Sequence, residues 1–298
     1  MEVPVIRLGP ISVYLGEKSG KYPDGNQVVV RGADTLAAFD TPLVANRLGE
    51  QLLDADLVVL GHVHEDHMAG LHRLPHAPVY VHEADADAAR SWDGLARHYG
   101  YAPSVLAGMH AKIEREFHYM PRPDALAYLD GARWDLGGGV TVRAIHMPGH
   151  TRGHCVLLVE PEGVAFIGDI DLSSFGPYYG DATSSLAAFR RTLAAVKDIP
   201  ARTWITSHHK GVITDRATFL ALLAAFASRL DAREEAIAAF LREHPATLEE
   251  LVAQRFLYPK DRNDLFFDDA ERRTIAQHLD SLAHAGRARG EGGRWRMI

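Results

Sequence analysis

The strongest constraint in the sequence is a cluster of histidines and acids that follows a short apolar run. The run "DLVVL" at residues 56–60 has the composition of a buried strand, and "HVHEDH" begins after a single glycine. Alternate side chains of an extended segment point the same way, so His62 and His64 can bind one metal ion from the strand end. Asp66 and His67 come where the chain turns toward a helix, so they can face the same pocket from another direction.

The side chains of this cluster have the chemistry of metal ligands. Imidazole and carboxylate groups together suit zinc, and they would also suit iron or manganese. A single His-X-His pattern is weak support, because it also occurs in polar loops whose histidines are merely hydrated. The complete set of three histidines and an aspartate after a strand is far more specific, and we interpret it as a metal site.

Three further strand ends carry the same chemistry. His150 lies in the turn "HMPGH", Asp169 follows an apolar run and a glycine in "AFIGD", and "WITSHHKG" ends a strand with His208 and His209. Binding sites are commonly built where several such ends meet, so we expect these residues to converge on one rim of a sheet sandwich.

The order of elements predicts the fold class. Two strand-rich blocks, each accompanied by helices, favour a layered α/β sandwich over a TIM barrel or a single parallel sheet. Helices are predicted at residues 43–54 and 103–119, among others. The last part of the chain is helical and ends in two β-prone pieces around a glycine-rich turn, which are the parts of a winged-helix-like appendage. We therefore predict an α/β domain at residues 1–229 and a helical, winged-helix-like domain at residues 230–298.

Composition excludes several functions. The chain of 298 residues has a net charge of -7, which gives no general attraction to nucleic acid or to anionic membranes. Its single cysteine, Cys155, excludes an internal disulfide. The sequence contains neither a signal-peptide pattern nor an apolar stretch of the roughly 18 residues that a membrane span needs. We therefore expect a soluble, cytoplasmic protein that acts on a small molecule, and leave a homo-oligomer open.

Taken together, these motifs resemble those of the metallo-β-lactamase-fold superfamily. The matching positions are Asp40 in "FDTP", the "HVHEDH" cluster, His150, Asp169 and the histidine after Ser207 in "TSHH". The resemblance covers nearly the whole chain. The run "SRLDAREEAIAAFL" and the winged-helix-like end are also similar to the branch of beta-lactamase-like protein 2 and glyoxalase II.

The resemblance implies a four-layer αββα sandwich with two metal ions, most simply two zinc ions. By the family pattern, the ligands of the first ion are His62, His64 and His150. By the same pattern, the ligands of the second ion are Asp66, His67 and His208, with Asp169 bridging both ions. Asp40 would brace a ligand. The chain departs from the pattern at Gly61, which replaces a threonine, and at "SHHKG", so the choice between His208 and His209 stays open.

The resemblance also implies a reaction. A hydroxide between two metal ions is available near neutral pH, and Asp66 would orient it as the catalytic residue. We expect a dinuclear metal-dependent hydrolase of a small ester, thioester or lactone. A metal-dependent ribonuclease of the same fold is the main alternative, although the chain lacks the strongly basic surface that tracks phosphates. An iron-dependent persulfide oxygenase is less favoured, because such enzymes use a single metal.

The sequence offers fewer signals for the residues that contact the substrate. Tyr178 and Tyr179 follow Asp169 in one loop and are candidate pocket walls, although aromatic packing would explain them equally well. His209 would point away from the metals or touch the substrate. Residues 98–119 form an aromatic lid or a helix pair that packs its own apolar face. His154 either supports a ligand or is an ordinary loop histidine.

Overall fold

Two β-sheets pack face to face with helices on both outer sides, in a computed structural model that describes residues 2–298. The first sheet has seven strands in sequence order. They are β1 (Val5–Leu8), β2 (Ile11–Tyr14), β3 (Gln27–Arg31), β4 (Leu36–Phe39), β5 (Leu57–Val59), β6 (Val79–His82) and β7 (Leu126–Tyr128). The first four strands are antiparallel neighbours, and β4 to β7 are parallel.

The second sheet has six strands, and its order runs from the last strand to the first. They are β8 (Arg133–Asp135), β9 (Thr141–His146), β10 (Cys155–Glu160), β11 (Val164–Phe166), β12 (Thr203–Ile205) and β13 (Val212–Ile213). The pair β11 and β12 is parallel, and the other neighbours are antiparallel.

The alternation of side chains along the strands creates the layers. Val28 and Val30 of β3 lie in the core between the two sheets, whereas Val29 packs with the helices outside the first sheet. In the second sheet, Leu157 faces the other sheet and Leu158 faces the outer helices. The inner strands β4, β5, β10 and β11 are therefore buried on both faces, which explains why they are almost entirely apolar. The predicted four-layer αββα sandwich is confirmed.

Helices cover both outer faces. In chain order the elements are α1 (Glu17–Gly20), α2 (Glu50–Leu53), α3 (Ala86–Arg90), α4 (Trp92–Tyr99), α5 (Pro103–Phe117), α6 (Leu186–Ala195), α7 (Arg216–Glu243), α8 (Leu248–Val252) and α9 (Phe267–His284). Of these, α1 is a turn in which Lys18 and Ser19 have left-handed φ values, and α8 and α9 belong to the C-terminal region. One-turn or slightly longer 3₁₀ helices cover Leu43–Arg47, Glu65–His67, Leu71–Arg73, Glu83–Asp85 and Val196–Asp198. Across residues 2–298, no helix combines the length and the apolar character needed to cross a bilayer.

The predicted helix at residues 43–54 does not form as one element. The structure has a 3₁₀ helix at Leu43–Arg47 and a single α-helical turn, α2, at Glu50–Leu53. Gly49 separates them with φ -97° and ψ -130°, far from helical values. Glycine is a poor residue for a helix interior, and here it lets the chain change direction between the two turns.

The C-terminal region has its own small core and the predicted winged-helix-like arrangement. It contains the end of α7, the helices α8 and α9, and the hairpin β14 (Ala288–Glu291) and β15 (Arg294–Met297). Buried residues from all three helices meet in this core. Helix α7 is continuous across residues 229 and 230, so the division into two domains there stays a prediction.

Helix α9 is fastened to two loops of the sandwich. Arg273 donates a hydrogen bond to the Gly100 carbonyl at 2.7 Å, and the Ala102 amide donates to Asp269 at 2.7 Å. Gln277 accepts from the Leu186 amide at 2.6 Å. The C-terminal region therefore contacts both the segment after α4 and the start of α6.

A buried polar chain reinforces this contact. The Tyr179 hydroxyl bonds to His278 Nε2 at 2.8 Å, and His278 Nδ1 lies 3.3 Å from the Glu234 carboxylate of α7. Ser281 also donates to Glu234 at 3.0 Å. The hydrogen bond from His278 lowers the pKa of Glu234 to about 2.

We predict that Glu234→Gln lowers the free energy of unfolding by about 1–2 kcal/mol at pH 7, because the variant loses charged hydrogen bonds. The pKa of Glu234 is depressed in the folded state, so its contribution is complete above the ordinary value of 4.5 and is lost as the pH falls toward 2. Urea unfolding of both proteins between pH 7 and pH 2 measures this difference. The exposed neighbour variant Glu235→Gln should lose less, and an equal loss in both variants would contradict the prediction.

Candidate metal centre

Three histidines converge at the rim where the two sheets meet. His62 and His64 follow β5, and His150 follows β9 in the second sheet. His62 Nε2 lies 3.2 Å from His64 Nδ1, and His150 Nε2 lies 3.2 Å and 3.1 Å from these two atoms. All three side chains are buried. Three ring nitrogens therefore face one point.

A second group lies beside the first. His208 Nε2 is 3.1 Å from Asp66 Oδ2, and His67 Nε2 is 3.7 Å from the same oxygen. Asp66 and His67 belong to the 3₁₀ turn after β5, whereas His208 follows β12 of the second sheet. The structure thus brings together one carboxylate and two imidazoles from both sheets.

Asp169 lies between the two groups. Its Oδ1 is 3.2 Å from His67 Nε2, and its Oδ2 is 3.4 Å from His150 Nε2. Gly168 permits this position: its φ is +54°, and a Cβ there would lie 2.7 Å from His154 Nε2. His154 Nε2 in turn accepts a hydrogen bond from the Asp169 amide at 3.3 Å, so the supporting interpretation of His154 is the one that fits.

The atoms at the centre fit a divalent metal. His67 Nε2, His208 Nε2 and Asp169 Oδ1 are buried without a hydrogen-bond partner, which is costly unless a ligand satisfies them. In the histidine group, the separations of 3.1–3.2 Å match the roughly 3.3 Å between nitrogens that surround a tetrahedral zinc ion. Mixed imidazole and carboxylate donors suit a divalent transition metal. The residues present therefore fit metal binding.

Two buried carboxylates accept hydrogen bonds from histidine nitrogens that face away from the centre. His67 Nδ1 donates to Asp40 at 2.7 Å, and His64 Nε2 donates to Asp181 at 2.8 Å. A proton on the outer nitrogen leaves the inner nitrogen free to bind a metal. The family resemblance had indicated Asp40, whereas sequence reasoning missed Asp181, because a lone aspartate in a loop carries no recognisable pattern.

Backbone carbonyls accept hydrogen bonds from the outer ring nitrogens of two other histidines. His150 Nδ1 donates to the Tyr178 carbonyl at 3.0 Å, and His208 Nδ1 donates to the Gly20 carbonyl at 2.8 Å. The loop around α1 therefore positions a residue of the second sheet. The outer nitrogen of His62 has no hydrogen-bond partner within residues 2–298.

Asp85 is a second residue that sequence reasoning missed. Its buried carboxylate accepts from the Val63 amide at 3.3 Å, from the Thr151 hydroxyl at 2.7 Å and from the Gly153 amide at 2.8 Å. These three partners lie within or beside the two histidine motifs of the first group. Asp85 therefore links the two strand ends through two backbone amides and one hydroxyl.

Electrostatics divide the histidines into two classes. Burial lowers the pKa of His150 to about 3, so this ring is neutral. Burial also disfavours the charged form of His64, but the Asp181 carboxylate outweighs it and raises the pKa to about 9. His208 behaves in the same way, because Asp169 and Asp66 overcome burial and raise its pKa to about 10. Protein without metal would therefore carry protons on His64 and His208 at neutral pH.

We predict that metal binding at pH 7 releases protons and becomes tighter as the pH rises toward 9 or 10. The reason is that the raised pKa values of His64 and His208 keep both rings protonated below that range, and a protonated ring cannot bind a metal. Titration calorimetry with zinc, in buffers of different ionisation enthalpy, measures the number of protons released.

The variant His209→Ala serves as the control and should release the same number of protons. A binding heat that does not depend on the buffer would contradict the prediction.

The three residues that were predicted to contact substrate lie in different surroundings. The Tyr178 ring lies 5.9 Å from the His150 ring, but its hydroxyl bonds to Asp181 and Tyr101 and so is not free to serve an oxyanion. Tyr179 is fully buried and its hydroxyl bonds to His278 of α9, so its side chain packs between the sandwich and that helix, and its part in a pocket wall stays a prediction.

His209 lies at the edge of the centre. Its Nε2 is 3.6 Å from Asp171, and its side chain is partly exposed. The neighbouring ring of His208 instead faces Asp66 and Asp169. The geometry therefore favours His208 over His209 as a member of the metal group.

Residues 98–119 combine the two roles considered for them. Helix α5 packs an apolar face into the core through Met109, Ile113 and Phe117. Just before it, the Tyr99 ring lies parallel to the His64 ring at 5.9 Å, and its hydroxyl donates to Glu65 at 2.5 Å. The helix is therefore structural, while the start of the segment covers the centre.

Comparison with known proteins agrees with this geometry. The family model described as the metallo-beta-lactamase superfamily matches residues 31–225, well over half of the chain. A metallo-beta-lactamase family protein from Thermus thermophilus superposes with a TM-score of 0.70 at 24% identity, covering 98% of this chain and 99% of that one. A beta-lactamase domain protein from Burkholderia ambifaria gives 0.68 at 19% identity, covering 99% and 94%. At these identities the two structures show the fold alone.

Two curated relatives match only part of the chain. The acyl-coenzyme A thioesterase MBLAC2 of Bos taurus is 29% identical over 170 residues, which cover 50% of this chain and 60% of that protein. The atrochrysone carboxyl ACP thioesterase of Pseudocercospora fijiensis is 24% identical over 191 residues, covering 64% and 54%. The chain therefore aligns with little more than half of the length of these relatives.

Proposed function

The chain belongs to the metallo-beta-lactamase superfamily, and we propose that it is a metal-dependent hydrolase that uses two metal ions to hydrolyse a thioester or a related small ester or lactone. The observation that carries the proposal of two ions is the position of Asp169. Its two carboxylate oxygens point toward different groups of ligands, 3.2 Å from His67 and 3.4 Å from His150.

In this proposal each group of side chains holds one ion. The first ion would be held by His62, His64 and His150. The second ion would be held by Asp66, His67 and His208, and Asp169 would contribute to both. Bound there, two divalent ions such as zinc would supply a hydroxide nucleophile near neutral pH and polarise the carbonyl oxygen of the substrate.

Asp66 has the catalytic role in this proposal. Burial alone would favour its protonated form, but His67 and His208 outweigh it and keep the pKa of Asp66 below its ordinary value. An ionised Asp66 can accept a hydrogen bond from the attacking water and so direct a lone pair of that water toward the substrate. In the proposal, Asp66, His67 and His208 together would bind the second metal ion, and Asp66 would also orient the attacking water.

The substrate class rests on the relatives and on the rim of the centre. Two relatives that carry thioesterase names align with 50% and 64% of the chain. Aromatic rings flank the centre on two sides: Tyr22, which is 44% exposed, lies 6.5 Å from the His208 ring, and Tyr178 lies on the His150 side. Such surfaces suit the apolar acyl part of a small substrate better than a phosphate backbone.

Two alternatives have less support: a DNA-binding role for the winged-helix-like region, and an oxygenase with one iron. In helix-turn-helix proteins the recognition helix must be free to enter the major groove of DNA, whereas here α9 is bonded to the sandwich through Asp269, Arg273 and Gln277. An oxygenase with one iron would not need the group around Asp66 and His208. Zinc as the native metal, a cytoplasmic location, a homo-oligomer and the domain division at residue 230 remain predictions.

We predict that His208→Ala removes one of two bound metal ions and lowers thioester turnover by several orders of magnitude, because its side chain completes the second group. His209→Ala should keep both ions and change mainly KM, since its ring faces Asp171. The measurement is elemental analysis and hydrolysis of an acyl-coenzyme A thioester by both variants. Metal loss in His209→Ala, with none in His208→Ala, would overturn the assignment.

The substrate class can be tested separately. Wild-type protein loaded with zinc, with manganese or with iron should hydrolyse thioesters, simple esters or lactones faster than it cleaves single-stranded RNA. Faster cleavage of RNA would refute the proposed class, and a reproducible content of one iron per chain would refute the proposal of two ions.

A further inference from the structure

The carboxylate of Asp181 connects three elements around the metal centre. It lies in the loop between β11 and α6 and is 1% exposed. Its Oδ2 accepts from His64 Nε2 at 2.8 Å. Its Oδ1 accepts from the Tyr178 hydroxyl at 3.1 Å and from the Tyr101 hydroxyl, and these two hydroxyls lie 2.7 Å apart. A buried carboxylate is therefore satisfied by one imidazole and two phenols.

We propose that Asp181 is a positioning residue that fixes the orientation and tautomer of His64 for metal binding. The inference rests on the proposed function, because it requires His64 to bind a metal. With the Nε2 proton donated to Asp181, the Nδ1 lone pair points to the place where His62 and His150 converge, 3.2 Å and 3.1 Å from their Nε2 atoms. A carboxylate behind an imidazole also makes the ring a stronger ligand.

The two phenols hold Asp181 in turn. Tyr178 belongs to the same loop, whereas Tyr101 belongs to the segment between α4 and α5. The Tyr101 ring is stacked on Phe266 at 5.9 Å, and the amide of the next residue, Ala102, is bonded to Asp269 of α9. The C-terminal region thus supports His64 through Tyr101 and Asp181, although it supplies no residue to the centre itself.

A positioning role for Asp181 can be distinguished from a role in packing alone. Packing alone could be served by any side chain of similar volume, but the tautomer of His64 depends on a hydrogen-bond acceptor at Nε2. Both oxygens of a carboxylate are acceptors, whereas an asparagine whose oxygen accepts from the two phenols presents its NH2 donor to His64. The variant Asp181→Asn keeps the volume and removes the charge. The same logic applies at the second group, where Asp40 holds His67 at 2.7 Å, so Asp40→Asn is the matched comparison.

The first readout is the tautomer of His64 in the zinc-loaded protein, measured by long-range ¹H–¹⁵N correlation spectra of the imidazole rings. The wild type should show a proton on Nε2 of His64 and none on Nδ1. In Asp181→Asn this signal should be lost or mixed, while in Asp40→Asn it should be unchanged. A wild-type ring with its proton on Nδ1 would overturn the proposal.

The second readout is zinc affinity, measured by competition with a chromophoric chelator. Asp181→Asn should weaken one of the bound ions by about 10–100-fold, the usual effect of removing a partner behind a metal ligand. Tyr101→Phe should weaken the same ion by a smaller factor, and it keeps the proposal testable if Asp181→Asn does not fold. Tyr119→Phe is the control, because its buried hydroxyl has no hydrogen-bond partner within residues 2–298.

Failure of the positioning role and failure of the proposed function give different results. Wild-type protein that binds no zinc would overturn both. Normal binding by the wild type, with unchanged affinity in Asp181→Asn and in Tyr101→Phe, would overturn the role of Asp181 alone. Equal weakening in Tyr101→Phe and Tyr119→Phe would also overturn it, because the loss would then not pass through the Asp181 carboxylate.

Discussion

The structure depends on gathering imidazole and carboxylate groups at one buried point between two sheets. Asp169 is central to this arrangement, because its carboxylate lies within 3.5 Å of three histidines. The positive charge of two of them, His208 and His67, keeps the pKa of Asp169 well below the ordinary value despite burial. So many polar groups cannot share a dry site unless hydrogen bonds or a cation satisfy them. Because the groups come from strand ends of both sheets, the site exists only when the two sheets are packed together.

The groups behind the centre matter as much as those that face it. Asp40, Asp181 and Asp85 are almost fully buried, and each bonds to a histidine or to the backbone beside one. A buried carboxylate is stable only when its acceptors are used, so each of them also selects the conformation in which its partners are in place. Asp40 even adopts a φ of +50°, a value that few residues other than glycine tolerate, while it accepts the Gly61 amide.

The C-terminal region has a structural role, because α9 is hydrogen-bonded to loops of the sandwich. A winged-helix-like arrangement invites comparison with DNA-binding proteins, but resemblance of fold does not establish function. Here the third helix of the arrangement, α9, uses its polar residues to hold the loops that carry Tyr101 and Tyr179. Its position therefore gives it a structural role in the proposed hydrolase, because its contacts hold loops that lie beside the candidate metal centre.

Local patterns in the sequence were enough to predict the sandwich, its helical appendage and the residues that gather at the centre, because a ligand that ends an apolar strand is placed by the strand itself. Tertiary packing was needed to show that Tyr179 faces α9 and that Asp181 holds His64, 117 residues away. The role of Asp85 was also invisible in the sequence, whereas the break between two helical turns falls at Gly49, a residue that helix interiors disfavour. A buried carboxylate has no periodicity of its own, and its partner is chosen by how two sheets and a distant helix pack.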